Sequence, residues 1–407
     1  MDGRELPEGW ESIRVEKVKG NSGLITDGDW ILSEDLQTGN DVRLIQLADI
    51  GIGKFLDKSK KSLAKTRAQE LKCTFLKEGD LLVSRMPEPI ARACTFPKVS
   101  YDAITAVDVT IIRTDLEKVD PKFLCSFFNS NIAKKQVERV TVGTTRKRIS
   151  RKNLENLIVP LPPLPIQSQI VAVLEQAEVV KRQRHEADAL TGALLQSVFR
   201  EMFGDPVKNE RGWEKKELKK FGEIKTGNTP PRINPSNYGD FIEWIKSDNI
   251  NSQSMNLERS QEFLSEEGLK IGRPAPKKSI LITCIAGSIS CIGNAAIADR
   301  DVTFNQQINA ILPKSDVNEL FLYHTILMSQ GYIQNHATKS MTKMINKGVL
   351  SDLLFICPPL ALQQQFARIV ERVERIRDQQ VASGRLIEGL CEGLMQRAFA
   401  GELVEAQ

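Results

Sequence analysis

Histidine and aromatic residues are scarce in this chain, with three histidines, four tryptophans and four tyrosines among 407 residues. The seven cysteines form no Cys-x-x-Cys pair and stand apart from the histidines at 185, 324 and 336. A structural zinc site needs such close pairs, so none is expected. A charge excess is missing too: 56 basic against 52 acidic side chains leave +4, so binding to a polyanion would rest on local basic patches. Long apolar runs are also lacking. Residues 279–298 hold no charge over about the length that spans a bilayer, but Gly287-Ser288, Ser290 and Gly293-Asn294 interrupt them. Their counterpart at 81–96 carries Arg85, Glu88 and Arg92, so two short buried strands around a turn are expected, and no membrane span. The opening Met1-Asp2-Gly3-Arg4-Glu5 has no signal-peptide core. With an odd number of cysteines, this predicts a cytoplasmic location and free thiols.

Signatures of catalysis are equally thin. Gly51-Ile52-Gly53-Lys54 follows Ala48 where a phosphate loop has Gly, and precedes Phe55 where it has Ser or Thr. Asn234-Pro235-Ser236-Asn237-Tyr238 lacks the second proline of the amino-methyltransferase loop, and a turn accounts for it. Glu214-Lys215-Lys216 has no Asp to complete a nuclease motif, and no nucleophile elbow occurs. His324 and His336 are expected to be ordinary, partly buried histidines. No active site is expected.

What the chain does have is a duplication. Pro162-Pro163-Leu164-Pro165-Ile166-Gln167 returns 196 residues later as Pro358-Pro359-Leu360-Ala361-Leu362-Gln363, and Gly9-Trp10-Glu11 returns as Gly212-Trp213-Glu214. Such a period is too long for a solenoid repeat and reads as a duplicated domain. Each copy alternates short apolar runs, such as residues 43–50 and 243–250, with turn residues. Short helices are expected at 121–135 and 317–333. The fold class predicted is α+β: two mainly-β units, 1–160 and 205–357, each followed by a long helix, 161–204 and 358–407.

Proline is tolerated in a first helical turn, and a 4-3 apolar alternation follows each Pro-Pro. The first seam runs through Ile170, Val173, Ala177, Val180 and Leu194, the second through Phe366, Ile369, Val373, Ile376, Leu390 and Leu394. This is a coiled-coil pattern, with polar middles at Arg184 and Thr191, and at Gln380 and Ser383. An antiparallel pair with pseudo-two-fold symmetry is expected; the alternative is that each helix packs on its own globular half. Leu195–Phe199 matches Met395–Phe399 at an offset of 200, which predicts a second helix four residues longer.

Just before each proline segment lies a polar, basic loop. The first holds Thr144, Thr145, Arg146, Lys147, Arg148, Ser150 and Arg151; the second holds Ser340, Thr342, Lys343, Asn346 and Lys347. Hydroxyls and guanidinium forks are common phosphate contacts, so both loops are candidate DNA-binding elements, with Thr229 and Arg232. Lys54, Lys58, Lys60, Lys61 and Arg67 add a basic run whose counterpart is acidic (Glu258, Glu262, Glu266).

Duplicated units closed by Pro-Pro-Leu-x-x-Gln and a long helix resemble the specificity subunit of type I restriction-modification enzymes. So do Leu6-Pro7-Glu8-Gly9-Trp10, Thr226-Gly227-Asn228-Thr229-Pro230, Gly287-Ser288-Ile289 and Asn305-Gln306-Gln307-Ile308. In the first half, Gly20-Asn21-Ser22-Gly23 has no Thr-Pro, and Ala106-Val107-Asp108 stands where Asn-Gln-Gln would be. The resemblance implies a non-catalytic reader of double-stranded DNA, each unit being a target recognition domain for half of a bipartite asymmetric site. It implies that the helices dock two methylation subunits, that restriction subunits join them, and that S-adenosylmethionine, ATP and Mg²⁺ belong to those partners, with no cofactor or metal in this chain. A coiled-coil protein adaptor without DNA specificity is the competing reading.

Overall fold

The computed structural model describes residues 6–39, 41–143, 147–250, 254–338 and 340–403. Its chain divides into two compact units: residues 1–185 with 382–407, and residues 186–381. The division falls within both long helices, Leu164–Phe203 and Leu360–Ala400, so each unit holds the start of one and the end of the other.

In unit 1, one antiparallel sheet has the order Leu24–Asp27, Val109–Arg113, Leu81–Ser84, Ala93–Thr95. A second has the order Gln37–Thr38, Lys61–Leu63, Val42–Ile45, Asp102–Thr105, its last pair parallel. Unit 2 repeats the plan. Gly222–Thr226, Ile308–Pro313, Ile280–Thr283 and Ala295–Ile297 form one sheet. Phe263–Leu264, Tyr238–Ile245, Val302–Phe304 and Pro274–Ala275 form the other, again with one parallel pair. The uncharged stretch 279–298 holds the two expected buried, paired strands, Ile280–Thr283 and Ala295–Ile297, and between them a third short strand, Ile285–Ala286, paired with Lys343–Met344, and among the described residues no helix is long and apolar enough to cross a membrane.

Each expected short helix is two. Ser130 ends Pro121–Asn129 and its hydroxyl accepts from the Ala133 N–H to cap Asn131–Val140, while Ser329 separates Glu319–Met328 from Gln330–Asn335. Apolar residues on both sides hide each break; at the first the serine is a side-chain cap, a role serine prefers to helix interior, while Ser329 makes no side-chain cap.

The first and last strands of each unit pair: Glu11–Arg14 with Ile158–Leu161, and Lys215–Glu217 with Leu354–Ile356. That pairing delivers the chain to Pro-Pro-Leu, where a buried glutamine takes over. Gln167 Oε1 accepts from the Asp120 N–H at 2.8 Å, and its Nε2 donates to the carbonyls of Lys118 and Pro162, both at 2.8 Å. Gln363 Oε1 accepts from the Asn318 N–H at 3.0 Å, and its Nε2 donates to the Pro358 carbonyl at 2.8 Å. Asp120 and Asn318 are the N-caps of the helices at Pro121 and Glu319. One side-chain amide therefore ties the start of each long helix to the start of a short one.

The long helices run antiparallel within each unit. In unit 2, Gln380 Nε2 donates to Thr191 Oγ1 at 2.9 Å while Phe199 meets Phe366 at 5.4 Å between ring centroids. In unit 1, Cys391 lies against the Ala177 carbonyl, and Ile170 and Leu174 share a core with Leu394 and Phe399. Ile170, Phe366 and Val373 are buried, and Val173, Ala177, Ile369 and Leu394 half-buried.

Val180, Leu194, Ile376 and Leu390, expected in the seam, are exposed. Their places are taken by the next residues: Leu195 is buried, and Lys181, Arg377 and Cys391 are half-buried. Positions three and four residues on flank the same helical stripe, so pattern alone does not choose between them. Long Lys and Arg stems can cover apolar surface while their heads reach water, and Arg377 pairs with Glu374 at 2.5 Å. The displacement is identical in both helices at the 196 offset. The predicted four-residue excess is also absent: the helices have 40 and 41 residues. The helices end at Phe203 and Ala400, each followed by a glycine of positive φ, Gly204 and Gly401, so their starts are 196 apart and their ends 197, and the Leu195–Phe199 likeness to Met395–Phe399 adds no four residues.

Replacing Gln363 by Ala leaves the Asn318 N–H and the Pro358 carbonyl without their partner in a buried setting. Loss of about 1–3 kcal/mol is expected, read as a lower denaturation midpoint, and Gln167→Ala should do the same to unit 1. Unchanged midpoints would show that these backbone groups find other partners.

Candidate nucleic-acid interface

In each unit the ends of the central strands bring loops together around one glycine. Gly28 follows the strand Leu24–Asp27 of unit 1, and a Cβ there would lie 2.3 Å from the Ala106 carbonyl oxygen; at Gly227, after Gly222–Thr226, it would lie 2.1 Å from that of Asn305. Only glycine allows so close an approach. The backbone bonds match: Gly28 N to Val109 O and Asp29 N to Thr105 O in unit 1, Gly227 N to Ile308 O and Asn228 N to Phe304 O in unit 2. The counterpart of Thr226–Pro230 is therefore the segment starting at Asp27, and not Gly20–Gly23 as the sequence suggested. Ala106–Asp108 does occupy the place of Asn305–Gln307, since Arg85 N donates to Asp108 O as Cys284 N donates to Gln307 O.

Three equivalent positions inside this junction differ in chemistry. In unit 1, Arg85 is buried beside Asp27 (3.5 Å), which also accepts from Thr110 Oγ1 at 3.1 Å, and lies 4.0 Å from Asp108. In unit 2 the same places hold Cys284, Thr226 and Asn309. There Thr226 Oγ1 donates to Asn309 Oδ1 at 2.6 Å, and Asn309 Nδ2 to Cys284 Sγ at 3.1 Å. Burial pushes the Cys284 thiol up to about 12, so it stays neutral.

The basic loops close alike. Val142 and Arg148 exchange two backbone hydrogen bonds; 196 residues on, Thr338 N donates to Met344 O, and Met344 N to Thr338 Oγ1. Thr144, Thr145 and Arg146, at the first tip, lie outside the described residues. Lys147 pairs with Glu88 at 2.9 Å, Arg148 with Asp108 at 3.4 Å and Arg151 with Glu155 at 3.4 Å. Exposed pairs of this kind are screened by water and contribute little, so a phosphate can replace the carboxylate at little cost. Ser150 and Asn346 cap the short helices Arg151–Glu155 and Lys347–Asp352, their side-chain oxygens accepting from the N–H groups of Asn153 and Val349. Ser340 Oγ donates to Thr342 O, and Lys343 Nζ to Ser340 O, both at 2.7 Å, while Lys347 is exposed.

The other basic run separates. Lys54, Lys58 and Lys60 are exposed on a loop that buried Asp49 organises, its carboxylate accepting from the N–H groups of Gln46, Lys58 and Ser59. Arg92 ties this loop, through the Leu47 and Ile50 carbonyls, to Pro87 beside the Lys147–Glu88 pair. Lys61 is in a strand, and Arg67 is held by Asp35 and Glu70 at 2.8 and 3.0 Å.

In unit 2 Thr229 Oγ1 donates to Gln306 Oε1. Arg232 pairs with Glu262 at 2.7 Å, and Glu262 with Lys246 at 2.5 Å. Hydrogen bonds from Lys246 and then Arg232 hold the Glu262 carboxyl below its usual range against its burial. Sequence reasoning missed Arg85, Arg92, Lys246 and the rings of Tyr238 and Trp244, which lie beneath the Arg232 guanidinium, because only the paired strands bring them to the loops. Aligning the two halves strand by strand would have exposed Arg85 as the charged counterpart of Cys284. His324 is a buried core histidine lowered to about 4, by burial first. Among the described residues no His, Cys, Asp and Glu group forms a metal-binding cluster.

Comparison with known proteins gives this geometry a setting. The chain is 24% identical over 344 residues to the type I restriction enzyme HindI specificity subunit of Haemophilus influenzae, covering 77% of this chain and 72% of that one. It is 21% identical over 426 aligned positions to the putative MjaX specificity subunit of Methanocaldococcus jannaschii, covering 98% and 95%. A chain solved in work on complex assembly and conformational transition of the type I R-M system has a TM-score of 0.68 at 20% identity, covering 98% of this chain and all of that one. The HsdS subunit from Thermoanaerobacter tengcongensis has a TM-score of 0.51 at 19% identity, covering 99% of each. These structures show a shared fold. The family model for the type I restriction modification DNA specificity domain matches residues 25–186 and again 210–382. The chain therefore belongs to the type I restriction modification DNA specificity family, as a DNA-recognition subunit and not a protein-only adaptor.

Proposed function

We propose that this chain reads a bipartite, asymmetric DNA site, each unit contacting one half, within an assembly whose catalysis belongs to other subunits. The observation that carries this is the unlike chemistry at like positions: Asp27, Arg85 and Thr110 in one unit, Thr226, Cys284 and Asn309 in the other. One frame filled in two ways suits two different half-sequences. Phosphate contacts from Lys147, Arg148 and the lysines at 54, 58 and 60 would set register, and loop side chains in the major groove would read bases.

The long helices would dock two methylation subunits, with restriction subunits joining them. Exposed apolar side chains on the helical segments support this: Val179, Val180, Leu386 and Leu390 in unit 1, Leu190, Leu194, Ile376 and Val381 in unit 2. Side chains of this size in water commonly mark a protein contact when they cluster. S-adenosylmethionine, ATP and Mg²⁺ would be held by those partners, and adenine N6 would be the methylated atom.

Co-expression with a methylation subunit, followed by mapping of methyladenine across host DNA, tests the whole reading. A split asymmetric motif is expected; scattered or absent methylation would sink it. Neutralising Lys147 and Arg148 together should weaken binding to every sequence alike and lower the salt slope by about 1–2. Base-selective loss would instead make them readers. Matched seven-residue insertions in the two long helices lengthen each by about 10 Å. The motif's central gap should then grow by roughly three base pairs, at 3.4 Å each, with both half-sequences intact, and altered half-sequences would contradict the role of the helices as a spacer.

A further inference from the structure

The family-like segments of unit 2 are largely occupied with each other. Gly227 wedges against Asn305, Thr229 bonds Gln306, and Asn305 Nδ2 donates to Gln307 Oε1 at 3.0 Å. The loop that follows is pinned by its carbonyls. Trp244 Nε1 donates to Asn228 O at 3.2 Å, Tyr238 OH to Pro230 O at 2.7 Å, and Asn237 Nδ2 to Pro231 O at 3.0 Å. Side chains spent on holding one another make a frame, and a frame shared across a family cannot by itself choose one sequence over another.

Arg232 is the first charged side chain beyond that frame. Its guanidinium carbon lies 5.2 Å from the Tyr238 ring centroid and 5.5 Å from that of Trp244, and Nη2 donates to Glu262. The side chain nonetheless remains 61% exposed. Two rings and one carboxylate thus hold a guanidinium on a side chain still largely open to solvent. A phosphate can be bound by lysine as a point charge, with no fixed plane required. A pre-set planar fork matches the paired acceptors O6 and N7 of guanine with two donors fixed in one plane, where lysine brings rotatable donors on a single nitrogen. In unit 1 the segment after Gly28 has no Lys or Arg before Arg43, and it presents Trp30, 73% exposed, at the place of Thr229.

Resting on the DNA-reading role above, we propose that Arg232 is a base-reading residue and that the half-site read by unit 2 contains the guanine it recognises.

The test is the full chain co-expressed with a methylation subunit, comparing wild type with Arg232→Lys and Arg232→Gln by methyladenine mapping and by binding to DNA variants. Thermal denaturation of each variant accompanies it, since Arg232 also rests on the Tyr238–Trp244 platform. Expected is a roughly 10- to 100-fold loss of discrimination at one G·C pair in one half-site. Arg232→Lys should show it with general affinity retained and an unshifted melting point, and the other half-site should be unchanged. Uniform weakening across all sequences would make Arg232 a phosphate contact, and an unaltered motif would make it a structural clamp; either overturns the proposal. A wild-type complex with no split motif would instead remove the DNA-reading role itself.

Discussion

A buried glutamine amide decides where each long helix begins. The Pro-Pro pair brings the chain off its closing strand without a donor to continue that strand, and five residues later Gln167 or Gln363 collects the backbone groups left over. Its oxygen takes the N–H of a neighbouring N-cap, so the direction of the long helix and that of the short helix are set together. A buried amide leaves no slack: a shift of one residue would strand both its own polar atoms and the backbone groups it serves. The strand-end loops and the helical seam are both aligned relative to this joint, and it is built the same way twice.

On that shared joint the two units carry unlike loops. A charged cluster around Arg85 in one and a neutral cluster around Asn309 in the other occupy the same backbone positions. The backbone bonds at Gly28 and Gly227 agree residue for residue, while the side chains they support do not. This separation of frame from content lets surface chemistry change without disturbing a core. It also explains why the loops hold their own ion pairs: Lys147 with Glu88 and Arg232 with Glu262 keep exposed cations ordered before any polyanion arrives.

Duplication, the closing proline segment and the antiparallel helices were legible because each leaves a linear signature, in spacing or in period. The seam was half legible. Positions recurring every seven residues, such as Ile170 and Ala177, face inward as expected, but the intermediate position falls on Leu195 and Cys391 in place of Leu194 and Leu390. Helical geometry offers both neighbours, and the partner's shape chooses. The basic loop was visible as composition, yet Ser150 and Asn346 turn out to be helix caps, a role hydroxyl and amide side chains share with phosphate binding. Arg85 and the Trp244–Tyr238 platform were invisible because strands far apart in sequence must pair before those side chains meet a loop.

The division of the chain within its helices has a consequence for the order of events during synthesis. Unit 2 is one contiguous stretch, residues 186–381, and holds all the residues of its own cores when the last of these is made. Unit 1 begins before it and finishes after it: its core lacks Ala398 and Phe399, the latter packed on Phe123 and Phe127 at 5.3 and 5.8 Å, until those two residues are made, after all of unit 2. Domains usually fold in the order of their synthesis. Here the amino-terminal reader must wait, its apolar helix-facing surface uncovered, while the carboxy-terminal reader completes itself.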